Sequence, residues 1–420
     1  MKPGDFIEVE TGDKTLQGVL MPNLDDKKIV IKLDSGYNVG IFKKNIKSKK
    51  VLKEYKEKET KHKPHKISKS KKTIAILHTG GTVASKVDYE TGGVIAKFTP
   101  EELIDMFPEI EKAVNVKSKL IGNFMSENLR FEDYNKMAKT VKEELEDVAG
   151  IIITHGTDTL HYTSAALSFI LQGLAKPVLL VGAQRSSDRG SSDAAMNLIC
   201  AVEFIANTEF NGVGVCMHKS MNDDICEILP GLKCRKLHSS RRDAFKVIND
   251  SVIGEVDYKT RKVHIFRAFE QKENKITLRE FNPDVKVGIL KARPNLFAEE
   301  LDCYDKYDGL ILEGTGLGHM PIENHKENEK ILQKLTKLAK KIPILMSTQC
   351  IFGRVNLNVY SPGRELQNIG IQGNYSDMHP ELAYIKLSWL LSNFDKNDVK
   401  KLLMEELRDE FNNRTGTEFL

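Results

Sequence analysis

The chain has 420 residues, 40% hydrophobic and 29% charged, a balance that excludes a disordered polymer and fits two or three folded domains. It holds no apolar run of the ~18 residues a membrane-spanning helix needs, and Met1-Lys2-Pro3-Gly4-Asp5 lacks the charged-then-apolar layout of a signal peptide. The net charge of +4 is unevenly spread: residues 1–72 carry 19 Lys and no Arg against 10 acidic residues, whereas the rest carries 44 basic against 49 acidic.

Phe6–Glu10 alternates apolar and polar residues, Gly18–Met21 follows, and Lys28–Leu33 alternates again before a turn signal at Asp34-Ser35-Gly36 and the run Tyr37–Phe42. Strands at this spacing predict a small β-barrel over residues 1–50. Lys49–Lys72 is lysine-rich with little apolar content and reads as a linker or a charged helix. This basic arm fits attraction to a polyanion and equally a solvated surface.

The texture changes at Thr73. Thr73–His78 is a buried-strand run that ends in Thr79-Gly80-Gly81-Thr82, and Thr99-Pro100-Glu101-Glu102 is a capping box that predicts a helix start. Phe131–Val148 predicts an amphipathic helix. Gly150–Thr154 predicts a second strand, followed by His155-Gly156-Thr157-Asp158-Thr159 and an apolar helix to Leu174. Pro177–Val181 predicts a third strand, Asp193–Ile205 a helix and Gly212–Met217 a fourth strand. The charged segment Gly254–Asn282 suggests a hairpin and connection. A second series follows, with strands at Val285–Leu290, Gly309–Leu312 and Ile342–Met346 and mostly helical stretches at Glu323–Lys341 and His379–Phe411. Alternating strands and helices predict an α/β fold with parallel sheets covered on both faces.

In such sheets, sites form beyond the carboxyl ends of the strands. Two strands here end in threonine-and-glycine loops, 79–82 and 154–159. Glycine lets backbone approach a ligand, and a threonine hydroxyl becomes a nucleophile only when a base activates it. Asp158 follows Thr157 directly, and Lys236 is a candidate base, because a buried lysine beside a carboxylate can relay a proton. By itself each loop reads sooner as a tight strand-to-helix turn, and Lys236 without context as a surface lysine. The six cysteines (Cys200, Cys216, Cys226, Cys234, Cys303, Cys350) form no C-x-x-C pair and no zinc spacing, so reduced thiols in a cytosolic protein are expected.

The Thr73–Thr82 run, His155–Thr159, and Val181-Gly182-Ala183-Gln184-Arg185 continuing through Asp193 to Asn197-Leu198 resemble the L-asparaginase family over about residues 73–390. The resemblance implies an asparaginase-like pair of α/β domains with mainly parallel sheets, a larger one over 73–283 and a smaller one over 284–420, with the site between them. It implies Thr82 as the acylated nucleophile, with Thr157, Asp158 and Lys236 as its supporting triad. Ser126 and Glu127 fall where relatives hold the substrate's α-carboxylate and α-amino group. Relatives usually carry Gln at the position of Glu127, so the amino-group contact differs here. Gly81 and Ala183 are implied as substrate-binding, Ala183 through an N–H that helps form the oxyanion hole. Gly314–His319 resembles a loop that reaches a neighbouring subunit's site, and His319 stands where some relatives have Asn. The implied chemistry is double displacement through an acyl-enzyme, with no metal.

A small SH3-like barrel over 1–50, a Lys-rich linker over 51–72 and then this body is a layout similar to that of the D-subunit family of archaeal glutamyl-tRNA(Gln) amidotransferases. The runs Gln184–Asp193 and Lys236–Phe245 look like that family too. The likeness implies glutamine as substrate and ammonia delivered to a GatE-like E subunit that binds Glu-tRNA(Gln) and uses ATP and Mg. It further implies a homodimer core within a heterotetramer, in the cytoplasm and without membrane contact. It implies no cofactor on this chain, which has neither a G-x-x-x-x-G-K-[ST] loop nor a G-x-G-x-x-G fingerprint. A free cytosolic L-asparaginase with an extra N-terminal domain is the alternative, and a non-catalytic amino-acid sensor of the same fold is another.

Overall fold

The computed structural model describes residues 1–23, 25–55, 68–80, 85–87, 94–96, 106–187, 190–269 and 275–416. The helix expected from the capping box at Thr99–Glu102 lies outside the described residues, as do Gly81 and Thr82.

The first five strands are β1 (Phe6–Thr11), β2 (Thr15–Met21), β3 (Lys28–Lys32), β4 (Asn38–Phe42) and β5 (Ile46–Lys53), in one antiparallel sheet of order β4-β3-β2-β1-β5. Alternation puts Ile7, Val9, Ile31 and Ile41 on one buried face. A single 3-10 turn, Lys43–Asn45, joins β4 to β5 although they are opposite edges. Four inter-strand gaps of about 4.8 Å are too wide for so short a turn across a flat sheet, so the sheet curls. The closed barrel expected from the strand spacing is not formed, because among the described residues no hydrogen-bonded pairing joins β4 to β5. The reason lies in β5: every residue after Ile46 is exposed, so it has no apolar face with which to seal the seam. β5 also extends into the lysine run expected to be linker or helix. Its main chain pairs with β1 (Ile7↔Val51, Val9↔Lys49), which requires no apolar side chains, and edge lysines deter further pairing.

The body continues with β6 (Thr73–His78), the antiparallel pair β7 (Ser85–Val87) and β8 (Val94–Ala96), β9 (Asn115–Leu120), β10 (Ile151–Thr154), β11 (Leu171–Gln172), β12 (Pro177–Val181), β13 (Gly212–His218), β14 (Ile225–Pro230), β15 (Cys234–Lys236), β16 (Phe245–Val247), β17 (Gly254–Asp257), β18 (Val263–Ile265) and β19 (Thr277–Leu278). Eight of these form one sheet of order β18-β17-β14-β13-β12-β10-β6-β9. Pairing is parallel from β9 to β13 and antiparallel from β13 to β18. All of β10 and β12 is buried, as apolar runs must be in a sheet covered on both faces. Helices Phe131–Glu144 and Leu160–Ile170 cover one face; helices Glu109–Ala113 and Ala194–Asn207 cover the other. The apolar helix expected to reach Leu174 stops at Ile170, where the chain turns into β11 to pair with β19.

The last three strands, β20 (Val287–Lys291), β21 (Gly309–Gly314) and β22 (Ile344–Thr348), form a parallel sheet with its own core. The mostly helical stretch expected over 379–411 holds two helices, Pro380–Asn393 and Lys396–Leu402. Asp395 causes the break, its carboxylate accepting from the N–H groups of Asn397 and Asp398 at 2.9 and 3.0 Å and so capping a new helix. Beyond Leu402 the chain is irregular, but a fully buried pair, Lys386 Nζ to Glu410 Oε1 at 2.6 Å, anchors it. Among the described residues no helix is long and apolar enough to cross a membrane.

Candidate active site

The order of the parallel strands decides where a crevice opens. From β6 the chain moves to β9 on one side and then to β10 on the other, so the sheet reverses direction between β6 and β10. Loops leaving two such strands diverge over opposite faces, and the gap between them is where ligands bind in this class of sheet. β6 and β10 pair in register, His78 opposite Thr154, so Thr79-Gly80 and the 155–159 loop leave neighbouring strand ends. The Thr79 hydroxyl donates to the Thr154 carbonyl at 2.8 Å and ties the two loops at their roots. Below them His78 bridges the Thr154 and Ser118 hydroxyls at 3.1 and 2.8 Å, and burial pushes its imidazole down to about 4.

Lys236 Nζ donates to Thr157 Oγ1 and to Asp158 Oδ1, both at 2.8 Å. Thr157 is buried, whereas the Asp158 carboxylate is open to solvent. Lys236 reaches them because β15 and β16 form a hairpin, Lys236 opposite Phe245, beyond the 155–159 loop. Next to it, Arg235 donates from Nε and Nη2 to Glu381 at 2.9 and 2.6 Å, which ties the hairpin to helix Pro380–Asn393. Burial raises the Glu381 carboxyl, but the His379 hydrogen bond and the Arg235 charge outweigh it and hold the group well below the usual carboxylate range.

Ser126 is buried against the same loop. The Thr159 hydroxyl donates to the Ser126 carbonyl at 2.7 Å, and a Cβ on Gly156 would lie 2.9 Å from Ser126 Cβ. Glycine at 156 is therefore what lets the two segments meet. Glu127, in the same 3-10 turn, is exposed. Ala183 follows β12, where Thr157 Cγ2 would lie 2.7 Å from a Cβ on Gly182.

The 182–185 turn has a polar frame that spacing alone did not reveal. Asp193, at the start of helix Ala194–Asn207, accepts from the N–H groups of Gln184 and Arg185 at 3.0 Å. Asn197, one turn on, donates to the Gly182 carbonyl at 3.0 Å, and His218 of β13 meets its Oδ1 at 2.6 Å. The only local signal was polar side chains inside an apolar helix and strand. On Gly314–His319, Thr315 N donates to the His319 carbonyl at 2.9 Å, and the His319 ring packs edge-on against Tyr360.

Thus Ser126, Thr157, Asp158, Ala183 and Lys236 surround the end of β10, while Gly81 and Thr82 lie outside the described residues. The fold and these loops define an asparaginase-type amidohydrolase. Residues 73–270 match the family described as asparaginase, N-terminal, and residues 286–404 the glutaminase/asparaginase C-terminal domain. The chain is similar in structure to the thermostable L-asparaginase from Thermococcus kodakarensis, with 29% identity, a TM-score of 0.73 and coverage of 81% of this chain and 100% of that one. L-asparaginase I from Vibrio cholerae gives 25% identity, a TM-score of 0.70 and coverage of 81% and 99%.

The asparaginase match begins only at residue 73, and residues 1–52 match the GatD N-terminal domain. The chain is 43% identical to the glutamyl-tRNA(Gln) amidotransferase D subunit of Methanococcus maripaludis over 100% of both proteins. It is 40% identical to the same D subunit from Saccharolobus islandicus over 99% of this chain and 94% of that one. The chain belongs to the family of glutamyl-tRNA(Gln) amidotransferase D subunits.

Proposed function

We propose that this chain is the glutaminase of a tRNA-dependent amidotransferase. It releases ammonia from glutamine for the conversion of Glu-tRNA(Gln) to Gln-tRNA(Gln) on a GatE-like partner subunit. The observation that carries the chemistry is Lys236 Nζ at 2.8 Å from both Thr157 Oγ1 and Asp158 Oδ1, at the strand end next to the end of β6. The similarity along the whole chain, N-terminal sheet included, favours the amidotransferase over a free L-asparaginase.

In this reading the Thr82 hydroxyl attacks the side-chain amide carbon of glutamine, and its proton passes towards Thr157 and Lys236. Asp158 fixes the Lys236 amine. The oxyanion is met by backbone N–H groups that include that of Ala183, worth about 3 kcal/mol per donor. Ammonia leaves with the returned proton, and water then splits the glutamyl ester on Thr82 to give glutamate. Ser126 takes the α-carboxylate, and Glu127 offers a full negative charge to the α-ammonium. The partner subunit binds the tRNA and, with ATP and Mg, activates its glutamyl carboxylate. Two D-type chains form the core of a cytoplasmic heterotetramer.

The test is ammonia release from glutamine and from asparagine, with and without the E-type subunit, ATP and Glu-tRNA(Gln). Glutamine turnover stimulated by partner and tRNA, and abolished in Thr82→Ala and Thr157→Ala, is expected. Partner-independent asparagine hydrolysis that exceeds glutamine hydrolysis would refute the assignment.

A further inference from the structure

His155 lies between β10 and Thr157, and its ring is fully enclosed. Its N–H donates to the Val181 carbonyl at 2.9 Å, one further rung of the β10–β12 ladder. Its Nδ1 lies 2.7 Å from the Gly156 carbonyl and its Nε2 2.9 Å from Thr163 Oγ1 of helix Leu160–Ile170. A carbonyl oxygen only accepts, so Nδ1 carries the proton. Burial pushes the imidazole down to about 4, so the ring is neutral and Nε2 must accept from the Thr163 hydroxyl. Both donors point the same way: Thr163 to His155, and His155 to the Gly156 carbonyl.

The last bond matters most. In a trans peptide the C=O and the next N–H point in opposite directions. With the Gly156 carbonyl drawn towards the buried ring, the Thr157 N–H turns the other way and the following Cα is set in place. A core-filling role requires only volume, and leucine would supply it. It does not explain a ring with both nitrogens bonded, one of them to the peptide that leads into Thr157.

We propose that His155 is a positioning residue for the amidase reaction: it fixes the Gly156–Thr157 peptide so that Thr157 Oγ1 meets Lys236. This rests on the functional reading above. The experiment measures kcat and KM for glutamine, together with Tm, on the full chain in complex with its E-type partner and Glu-tRNA(Gln). His155→Leu keeps the bulk and removes both bonds. His155→Asn keeps a short-reach N–H able to meet the Gly156 carbonyl. Thr163→Val keeps shape and removes only the hydroxyl that orients the ring. A displacement of Thr157 by about 1 Å costs on the order of 100-fold, so His155→Leu is expected to lower kcat about 100-fold with KM little changed. His155→Asn should recover about tenfold of that loss. Thr163→Val should lose about tenfold, and it serves as the readout if His155→Leu fails to fold. A folded His155→Leu enzyme within about twofold of wild-type kcat overturns the proposal. So does an asparagine variant no more active than the leucine one, since a loss that follows volume alone is a packing effect. Wild-type protein that releases no ammonia from glutamine overturns the functional reading itself, and the positioning role with it.

Discussion

Replacing Lys236 by Met separates catalysis from stability. Methionine keeps most of the apolar stem but removes the amine that contacts Thr157 and Asp158, each at 2.8 Å. The Asp158 side chain is 70% exposed, so this ion pair falls in the solvent-screened class worth about 0–1 kcal/mol. Losing the hydrogen bond to the buried Thr157 hydroxyl adds about 1 kcal/mol. Positioned acid–base groups contribute about 100- to 10,000-fold, or roughly 3–5 kcal/mol of transition-state stabilisation. The catalytic effect therefore exceeds the structural one severalfold. Lys236→Met should unfold within about 2 kcal/mol of wild type in urea while its glutaminase kcat falls at least about 100-fold. Thr157→Val should cost a similar amount, and the double variant little more than either, because groups that act as a unit are not additive. A folded Lys236→Met enzyme that keeps a tenth of the wild-type kcat, or losses that multiply in the double variant, would refute the argument.

Glu410→Ala takes from the fully buried Lys386 ammonium its ion-pair carboxylate and leaves it the Glu405 carbonyl and the face of Phe411, so urea denaturation should show a loss of about 3–5 kcal/mol. Lys386→Met combined with Glu410→Leu should recover most of that loss, because no unpaired charge remains buried. His78 and His155 have imidazoles pushed by burial from 6.5 to about 4, so unfolding binds protons between these values and stability is full above 6.5 and lost as pH falls towards 4. Each contributes about 3 kcal/mol to that loss, and a Tm that stays flat from pH 7 to 4 would contradict it. Gly156→Ala places a Cβ 2.9 Å from Ser126 Cβ, and overpacking of about 1–3 kcal/mol should appear mainly as a roughly tenfold rise in KM for glutamine. An unchanged KM in steady-state assays would show that Ser126 does not bind substrate.

Much of the body was readable because its signals are local. The apolar runs at Thr73–His78, Gly150–Thr154 and Pro177–Val181 have the length and composition of strands buried on both faces, and they became β6, β10 and β12. The glycines and threonines after them marked strand-end loops. Other elements lacked a local mark. β15 and β16 are three residues each and exist because they pair with each other. The charged edge strand β5 exists because β1 offers it a free backbone edge. Asp395 divides the last helical stretch in two through a cap that its flanking residues only weakly announce.

From its residues alone the chain determined which loops carry hydroxyls and that they follow parallel-type strands, because backbone conformation and burial pattern are written in neighbouring side chains. Only the tertiary structure decided that those loops are neighbours, by setting β6 beside β10 in register. It alone brought Lys236 to Thr157 across 79 positions of sequence, and stationed His155, Asp193, Asn197 and His218 beneath the loops as their frame. Such contacts join residues distant in the chain. They form when sheets and helices pack, and no single segment carries the information that they will.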